Sequence, residues 1–335
     1  MSHVIRIAGS DVSFPCEADE AVLDAALKAG IEIPYSCRKG VCGNCVAHVT
    51  EGEFDRGVVS ADAVSPGQEL LCQCRPRTDL QIQVQNWKRV EPEPRKRVQA
   101  KVYRNTLVAP EVSLLQLRFP AGQRAKFRAG QYLEVILPDG ARRSYSMANP
   151  PHESDGVQLH IRHVPGGRFS AVVGGLVPGD LLDIELPFGQ VELDLDQATP
   201  LLCACGGTGF APVKSLLDDL AKRKSARPVT LIWGSRDKAG LYLLNHVAKW
   251  ARSLPDFHFT AAVEMKEEAA ELAQSLNTFN GRVDAAVRSL AADSSFDEVY
   301  CCGSPPMVAA VKAACAETLG IDPSKFHADV FVSGP

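Results

Sequence analysis

Three cysteines stand within a single short stretch as Cys37-x4-Cys42-x2-Cys45, and a fourth, Cys72, follows downstream. This is the plant-type ligand spacing for a 2Fe-2S cluster, and thiolate sulfur is the soft donor that iron prefers. A loop around such a cluster must curl until backbone N–H groups reach the sulfurs. Gly40 and Gly43 permit the dihedral angles that the curl needs. Two other readings compete. A structural zinc site pairs two short C-x2-4-C knuckles, whereas here a four-residue gap adjoins a two-residue gap and the last cysteine is solitary. Ordinary buried thiols are the other possibility. Cys74 lies two residues beyond Cys72 and would share its side of a strand, so local periodicity does not choose between them.

The chain has 335 residues, and at about 100–200 residues per domain two or three domains are expected. The composition, 45% hydrophobic and 23% charged, is that of a folded globular protein. A net charge of −4 leaves no basic surplus to attract nucleic acid. Eleven cysteines would suit a secreted disulfide protein only in a much shorter chain. The opening Met-Ser-His-Val-Ile-Arg-Ile-Ala has no signal-peptide core, and no run of about 18 apolar residues is present to span a bilayer. A soluble, cytoplasmic, monomeric protein is expected, with Cys16, Cys203, Cys205, Cys301 and Cys315 as reduced core residues.

Residues 1–90 read as a small mixed sheet holding one helix, a β-grasp arrangement. Val4–Ile7 alternates as a strand does, Val12–Phe14 is its hairpin partner, and Ala21–Gly30 has helical spacing with a terminal glycine. Strands are expected at Cys45–Val49, Leu70–Cys74 and Leu80–Val84. Residues 91–97, with two prolines and five charges, predict a stiff solvated linker. Residues 98–196 carry β pattern at Val98–Tyr103, Val112–Phe119, Gln131–Leu137, Val157–Val164 and Leu181–Leu186. Proline and glycine punctuate these runs, which predicts an antiparallel β-barrel with a helix beginning near Arg168. Residues 197–335 alternate strands (Pro200–Ala204, Val229–Gly234, Val299–Cys302) with helices (Ala211–Lys224, Met307–Leu319), predicting an α/β doubly wound domain.

Several stretches carry binding chemistry. In Arg143-Ser144-Tyr145-Ser146 an arginine can pair with pyrophosphate, and a tyrosine on the same strand face can lie against a flat ring. The adjoining serine can bond the ring edge. The same residues would also suit an exposed strand end. Gly166-Gly167-Arg168-Phe169-Ser170 places glycines and a serine where a helix begins and N–H groups meet phosphate; a simple capped turn is the alternative. Two such elements in one barrel point to a flavin dinucleotide. Gly206-Gly207-Thr208-Gly209 joins the first strand of the last domain to its first helix, where a doubly wound sheet holds a dinucleotide, although the pattern is not G-x-G-x-x-G. Ser235-Arg236-Asp237-Lys238 follows the second strand, where the adenosine ribose is read. With both charge signs present, the choice between NADH and NADPH stays open. Cys302-Gly303 lies at a strand's carboxyl edge, where a thiol can touch the nicotinamide; a buried structural role fits Cys301 better.

In this order the pieces resemble the ferredoxin–NADP reductase superfamily, and within it the bacterial oxygenase reductases with an N-terminal plant-type ferredoxin domain. The resemblance runs over essentially the whole chain. The flavin motif R-x-Y-S is matched by Arg143, Tyr145 and Ser146, and the pyrophosphate turn by Gly167 to Ser170. G-G-T-G-x-A-P is matched by Gly206–Pro212, and C-G-x-P-x-M by Cys302, Gly303, Pro305 and Met307. The ferredoxin pattern C-x3-P-x-[ST]-D-x2-I fits Cys72, Pro76, Thr78, Asp79 and Ile82, which makes Cys72 the fourth ligand. Ser144–Gly156 and Phe326–Phe331 carry a closer likeness to reductases of aromatic-acid dioxygenases. One departure is Gly240, where many relatives have aspartate before the Leu-Tyr pair.

The resemblance implies an NAD(P)H-dependent flavin iron–sulfur oxidoreductase passing electrons from NADH or NADPH through FAD and the 2Fe-2S cluster to a Rieske-type oxygenase. It implies that Arg143 holds pyrophosphate, Tyr145 packs on the isoalloxazine, Ser146 contacts its N5 region and Cys302 borders the nicotinamide. Ser144, His160, Arg162, Ser235, Arg236, Met307 and Phe331 are further expected cofactor-binding residues. Arg38 and Lys39 are expected to be exposed and to steer an acidic partner face. The reductase of a diiron monooxygenase or deoxysugar pathway is a rival of the same class, and a redox sensor without turnover a rival of another.

Overall fold

Alternation of apolar and polar residues builds the first sheet. Ile5 and Ile7 point inward from the strand Ser2–Ile7, between exposed Val4 and Arg6. This strand pairs antiparallel with Ser13–Glu17, setting Ile5 opposite Phe14, and parallel with Leu80–Gln83. Val46–Glu51 and Glu69–Leu70 complete five strands. The helix Val22–Lys28 turns Val22, Leu23, Ala25 and Ala26 into the same core, with Ile33, Leu71 and Ile82. The computed structural model describes residues 2–60, 63–90, 95–190, 193, 195–290 and 294–332. The chain divides into two units, Met1–Pro94 with Gln190–Glu192 and Arg95–Gly189 with Leu193–Pro335.

One expected strand of the first unit is broken. Leu70–Cys74 is not a single strand: Glu69–Leu70 ends, Leu71–Gln73 winds into one 3-10 turn, and Cys74–Pro76 starts a separate strand. The turn removes the two-residue alternation on which Cys72 and Cys74 were expected to share a face. Of the expected linker, Glu91–Pro94 lies outside the described residues. Lys96 and Arg97 already belong to the strand Lys96–Ala109.

The second unit holds two sheets. The first is antiparallel, in the order Arg142–Ser146, Tyr132–Ile136, Leu181–Phe188, Lys96–Ala109, Val112–Arg118, Gly156–Arg162. Met147, just past one edge strand, bridges Leu159 in the other. Val98, Ala100 and Val102 alternate inward and pack with Leu115, Leu117, Leu133, Val135, Leu159 and Ile184. The helix expected near Arg168 is a single turn, Ser170–Val173. The second sheet is parallel: Thr278–Asn280, Phe257–Val263, Val229–Ser235, Leu201–Gly206, Glu298–Gly303, Phe326–Val330. Leu201–Cys205 is buried without alternation, as a strand covered on both faces must be. The helix Phe210–Arg223 follows it and ends on Lys224 in the left-handed conformation. The last expected helix starts earlier than its apolar pattern, at Pro305, and after Ala314 widens into a π turn over Cys315–Leu319.

A buried ion pair anchors the base of this parallel sheet. Arg227, fully buried, donates to Glu298 Oε2 at 2.7 Å and to the Thr199 carbonyl at 2.7 Å. Burial opposes ionisation of Glu298. The contact with His327 at 3.5 Å and the hydrogen bond from Arg227 overcome it and bring its pKa down to about 2. Glu298→Gln strands the buried guanidinium, so urea denaturation should show a loss of about 3–5 kcal/mol. With its folded pKa below the unfolded one, the carboxylate stabilises fully above the ordinary glutamate range and loses that effect as pH falls toward 2. The variant should therefore lose less stability than the parent over that acid range.

Candidate functional site

The cysteine loop gathers its thiols in two pairs. Cys42 donates to Cys37, whose pKa falls to about 6, and Cys45 donates to Cys72, whose pKa also falls. Backbone amides surround them. Lys39 N–H reaches Cys37 Sγ at 3.3 Å, those of Val41 and Cys42 also face Cys37, that of Asn44 faces Cys42, and that of Gly40 faces Cys72. Gly40 and Gly43 have φ of +76° and +79°. A Cβ on Gly40 would stand 2.1 Å from the Val58 carbonyl, so glycine is required there for space as well as for φ. Each iron of a 2Fe-2S cluster takes two protein thiolates, and two thiol pairs ringed by amides suit a negatively charged dinuclear centre. Among the described residues no group of three or more acidic, histidine or cysteine side chains is set to grip a single ion.

Cys74 faces away from this loop. It is buried with Cys16 and Glu69 as neighbours, and burial pushes its pKa up to about 12. The structure thus separates Cys72 from Cys74 where periodicity did not. The expectation for Arg38 is corrected. Its side chain is mostly covered and pairs with Asp24 on the helix, because a φ of +55° turns it back over the loop. Lys39 is exposed as expected.

In the second unit, Arg143 and Tyr145 alternate along the strand Arg142–Ser146, opposite Val135 and Leu133. Tyr145 leans on Phe169 with ring centroids 5.5 Å apart, and burial raises its phenol to about 12, so it stays neutral. Ser144 is exposed and Ser146 half-buried. Arg168 pairs with Asp139, Phe169 is buried, and Ser170 Oγ lies 3.2 Å from both the N and O of Val164. A Cβ on Gly167 would stand 2.2 Å from Ser170 Oγ, which explains the glycine.

The glycine turn sits at the carboxyl edge of the parallel sheet, beside the reversal of strand order where ligands bind. Gly207–Gly209 forms a 3-10 turn, with Thr208 half-buried at its centre. A Cβ on Gly207 would meet the Arg162 guanidinium at 2.2 Å, and one on Gly209 the Cys302 carbonyl at 2.1 Å. Met307 Sδ approaches both Gly206 and Gly303, and Phe331 N–H donates to the Gly303 carbonyl at 2.8 Å. The expected residues Arg162, Gly206–Gly209, Cys302, Gly303, Met307 and Phe331 therefore converge. The Cys302 thiol is an exception in orientation: it is fully buried, as is Cys301, and burial raises both.

Ser235 ends the neighbouring strand and Arg236 follows it. The Arg236 side chain is 83% exposed, and Asp237 Oδ1 accepts from Gly240 N at 3.0 Å. A Cβ on Gly240 would stand 1.9 Å from Ser235 Oγ. The aspartate common at this point cannot fit while the serine keeps its rotamer.

Sequence reading missed an apolar and polar seam beneath these motifs. Phe210 stacks on Trp233 with centroids 3.7 Å apart and planes 4° from parallel, and Tyr242 meets both edge-on. Trp233 Nε1 donates to the Gly207 carbonyl at 3.3 Å. His160, an expected cofactor residue, is buried against Phe210, with Nδ1 3.0 Å from the Tyr242 hydroxyl. Burial, with Lys214 and His246 nearby, keeps it neutral. Lys214, Ser215 and Asp218 are buried polar groups on the helix Phe210–Arg223. Their signal was available: polar residues at helical spacing in a stretch otherwise apolar enough for core.

Comparison with known proteins agrees with this layout. Residues 5–77 match the 2Fe-2S iron-sulfur cluster binding domain, residues 99–193 the oxidoreductase FAD-binding domain, and residues 204–313 the oxidoreductase NAD-binding domain. The chain is 52% identical to reductase component 2 of terephthalate 1,2-dioxygenase from Comamonas sp, over 100% of this chain and 99% of that one. Among solved structures it resembles the Amycolatopsis cytochrome P450 reductase GcoB, with a TM-score of 0.78 at 29% identity, covering 98% of each chain. The ferredoxin reductase in carbazole 1,9a-dioxygenase follows, with a TM-score of 0.72 at 25% identity, covering 99% of each chain.

Proposed function

Because the chain belongs to the family of oxygenase reductase components that join a 2Fe-2S domain to FAD-binding and NAD-binding domains, we propose that its partner is a Rieske-type oxygenase attacking an aromatic acid, terephthalate foremost. The observation that carries this reading is the 52% identity, over 100% of this chain and 99% of the relative, to a terephthalate dioxygenase reductase component. The chain is an electron-transfer reductase with FAD, a 2Fe-2S cluster and a nicotinamide dinucleotide as its redox groups.

When bound, FAD links the two-electron chemistry of the nicotinamide to the one-electron chemistry of the cluster. The chain's own residues hold and tune these groups. Cys37 and Cys42 would supply one ligand pair and Cys45 and Cys72 the other, with the loop amides that face Cys37 and Cys72 stabilising charge on the sulfurs. Arg143, with Gly167–Ser170, would hold the flavin pyrophosphate, and Tyr145 and Ser146 would hold the isoalloxazine by its face and its edge. Gly206–Gly209 receives the coenzyme pyrophosphate. Arg162 adds positive charge beside that turn, Ser235 and Arg236 face the adenosine ribose, and Cys302, Met307 and Phe331 border the nicotinamide pocket. His160 serves from below, through Phe210 and Tyr242.

The working domain limits are 1–90, a connector that ends before the strand Lys96–Ala109, a flavin domain from there to 196, and 197–335. A cytoplasmic setting suits the buried thiols outside the cluster set, which a reducing compartment maintains. Among the described residues no helix is long and apolar enough to cross a membrane. A monomer is the working state.

Anaerobic titration of the purified protein with NADH and, separately, NADPH tests the reading. Visible bands of flavin and cluster should both bleach, taking up about three electrons, two for the flavin and one for the cluster. The reduced protein should then support terephthalate hydroxylation by the oxygenase of a terephthalate dioxygenase. Bleaching without any transfer to that oxygenase would sink the partner assignment; no bleaching with either coenzyme would sink the cofactor roles.

A further inference from the structure

The helix that follows the glycine turn is tied to the strand end that follows the flavin motif by two adjacent side chains. Lys214 Nζ donates to the Ala148 carbonyl at 3.0 Å, and Ser215 Oγ donates to the Asn149 carbonyl at 2.7 Å. Lys214 is 5% exposed and Ser215 fully buried. Neither bond closes a turn or caps a helix, since each spans 66 residues.

Both ends of this tie are braced. Lys214 Nζ also donates to Asp218 Oδ2 at 2.9 Å, one helical turn on, and Asp218 Oδ1 accepts from Trp250 Nε1 at 2.9 Å. On the other side, Asn149 Nδ2 donates to the Glu153 and Gly156 carbonyls, and Asn149 Oδ1 accepts from Gln158 N at 2.9 Å. Ala148 N donates to the Gln158 carbonyl at 2.8 Å. A buried cation is costly unless paired, and an apolar side chain would fill the same volume without that cost. The ammonium stands where three directed N–H donors can fix a carbonyl and a carboxylate together.

We infer that Lys214, braced by Asp218 and seconded by Ser215, is a positioning residue for hydride transfer, holding the coenzyme-binding turn in register with the flavin-binding strand. The chain geometry gives it that reach. Ala148 is two residues past Ser146, and the helix bearing Lys214 begins at Phe210, directly after Gly209. Transfer requires the reacting atoms to meet at about 3–3.5 Å, and a misplacement near 1 Å costs about 100-fold. The inference rests on the flavin and coenzyme sites proposed above.

The test uses the full-length protein loaded with FAD and cluster, mixed anaerobically with the coenzyme that reduces it. Lys214→Met should lower the limiting rate of flavin reduction about 10- to 100-fold, with the coenzyme dissociation constant within about twofold of the parent. Lys214→Arg keeps the cation and its donors and should recover most of the rate. Ser215→Ala, which removes one hydroxyl, should lose about threefold and keeps the test open if Lys214→Met fails to hold FAD. Amide hydrogen exchange gives a readout apart from turnover: in Lys214→Met, exchange should quicken in the peptides around 147–150 and 210–215 and nowhere else.

A reduced melting temperature and FAD content with an unchanged limiting rate would overturn the inference in favour of plain structural support. A loss that lies wholly in coenzyme affinity would overturn it in favour of a binding role. If the parent protein itself is reduced by neither coenzyme, the cofactor reading has failed; if the parent is reduced and the variants match it, only this inference has.

Discussion

Cys72→Ser abolishes the cluster, and Cys74→Ser leaves it in place. The two residues are two positions apart in the chain, but the 3-10 turn at Leu71–Gln73 sends them to different surroundings. Cys72 pairs with Cys45 and accepts an N–H from Gly40, whereas Cys74 is buried beside Cys16 and Glu69. Serine at 72 replaces a soft thiolate by a hard, weakly acidic hydroxyl, and one iron then lacks its second protein ligand. Serine at 74 only buries a hydroxyl in a thiol's place, at a cost of about 1–3 kcal/mol. The check is visible absorbance with low-temperature electron paramagnetic resonance of the reduced proteins. Cys72→Ser should show flavin alone and no cluster signal, yet still bleach its flavin with the coenzyme. Cys74→Ser should show the full cluster signal with a lower melting temperature. A cluster lost from Cys74→Ser and kept in Cys72→Ser would exchange the two assignments.

That pair marks where the chain could be read and where it could not. Ligand spacing is local, so Cys37, Cys42 and Cys45 declared their chemistry directly, and the strand–glycine–helix order declared the nucleotide lobe. The break at Leu71–Gln73 was hidden because the short apolar run Leu70–Cys72 suits a strand as well as a turn. Arg38 looked exposed because its partner Asp24 lies on a separate helix, and only a positive φ brings them together. Gly240 stood out as a departure from the family pattern, and its reason, the Ser235 hydroxyl in the space of its Cβ, is a through-space fact. The same holds for Lys214 and Ser215. The i, i+4 spacing of Lys214 and Asp218 fits a buried polar stripe, but nothing along the chain pointed to the Ala148 and Asn149 carbonyls.

Gly209→Ala should lower flavin reduction by the coenzyme about 100-fold while leaving FAD and cluster bound. The backbone at Gly209 is right-handed helical, φ −57° and ψ −13°, so alanine carries no dihedral penalty. The obstacle is steric alone. The new Cβ would stand 2.1 Å from the Cys302 carbonyl oxygen and 2.7 Å from its carbon, both backbone atoms of a central strand. Neither can swing aside, so the turn itself must lift by about 1 Å, the scale at which an oriented reaction loses about two orders of magnitude. Gly206→Ala is the graded companion. There the new Cβ meets Met307 Sδ at 2.6 Å, and a flexible thioether chain can move aside, so a loss of only about threefold is expected. Stopped-flow reduction separates the two, with dithionite reduction of both redox groups and FAD content as controls for folding. Equal and small losses in both variants would mean that the turn yields without disturbing the coenzyme. Equal and large losses would mean that the crowding at Met307 matters as much as the backbone contact, and the ordering argued from these distances would fail.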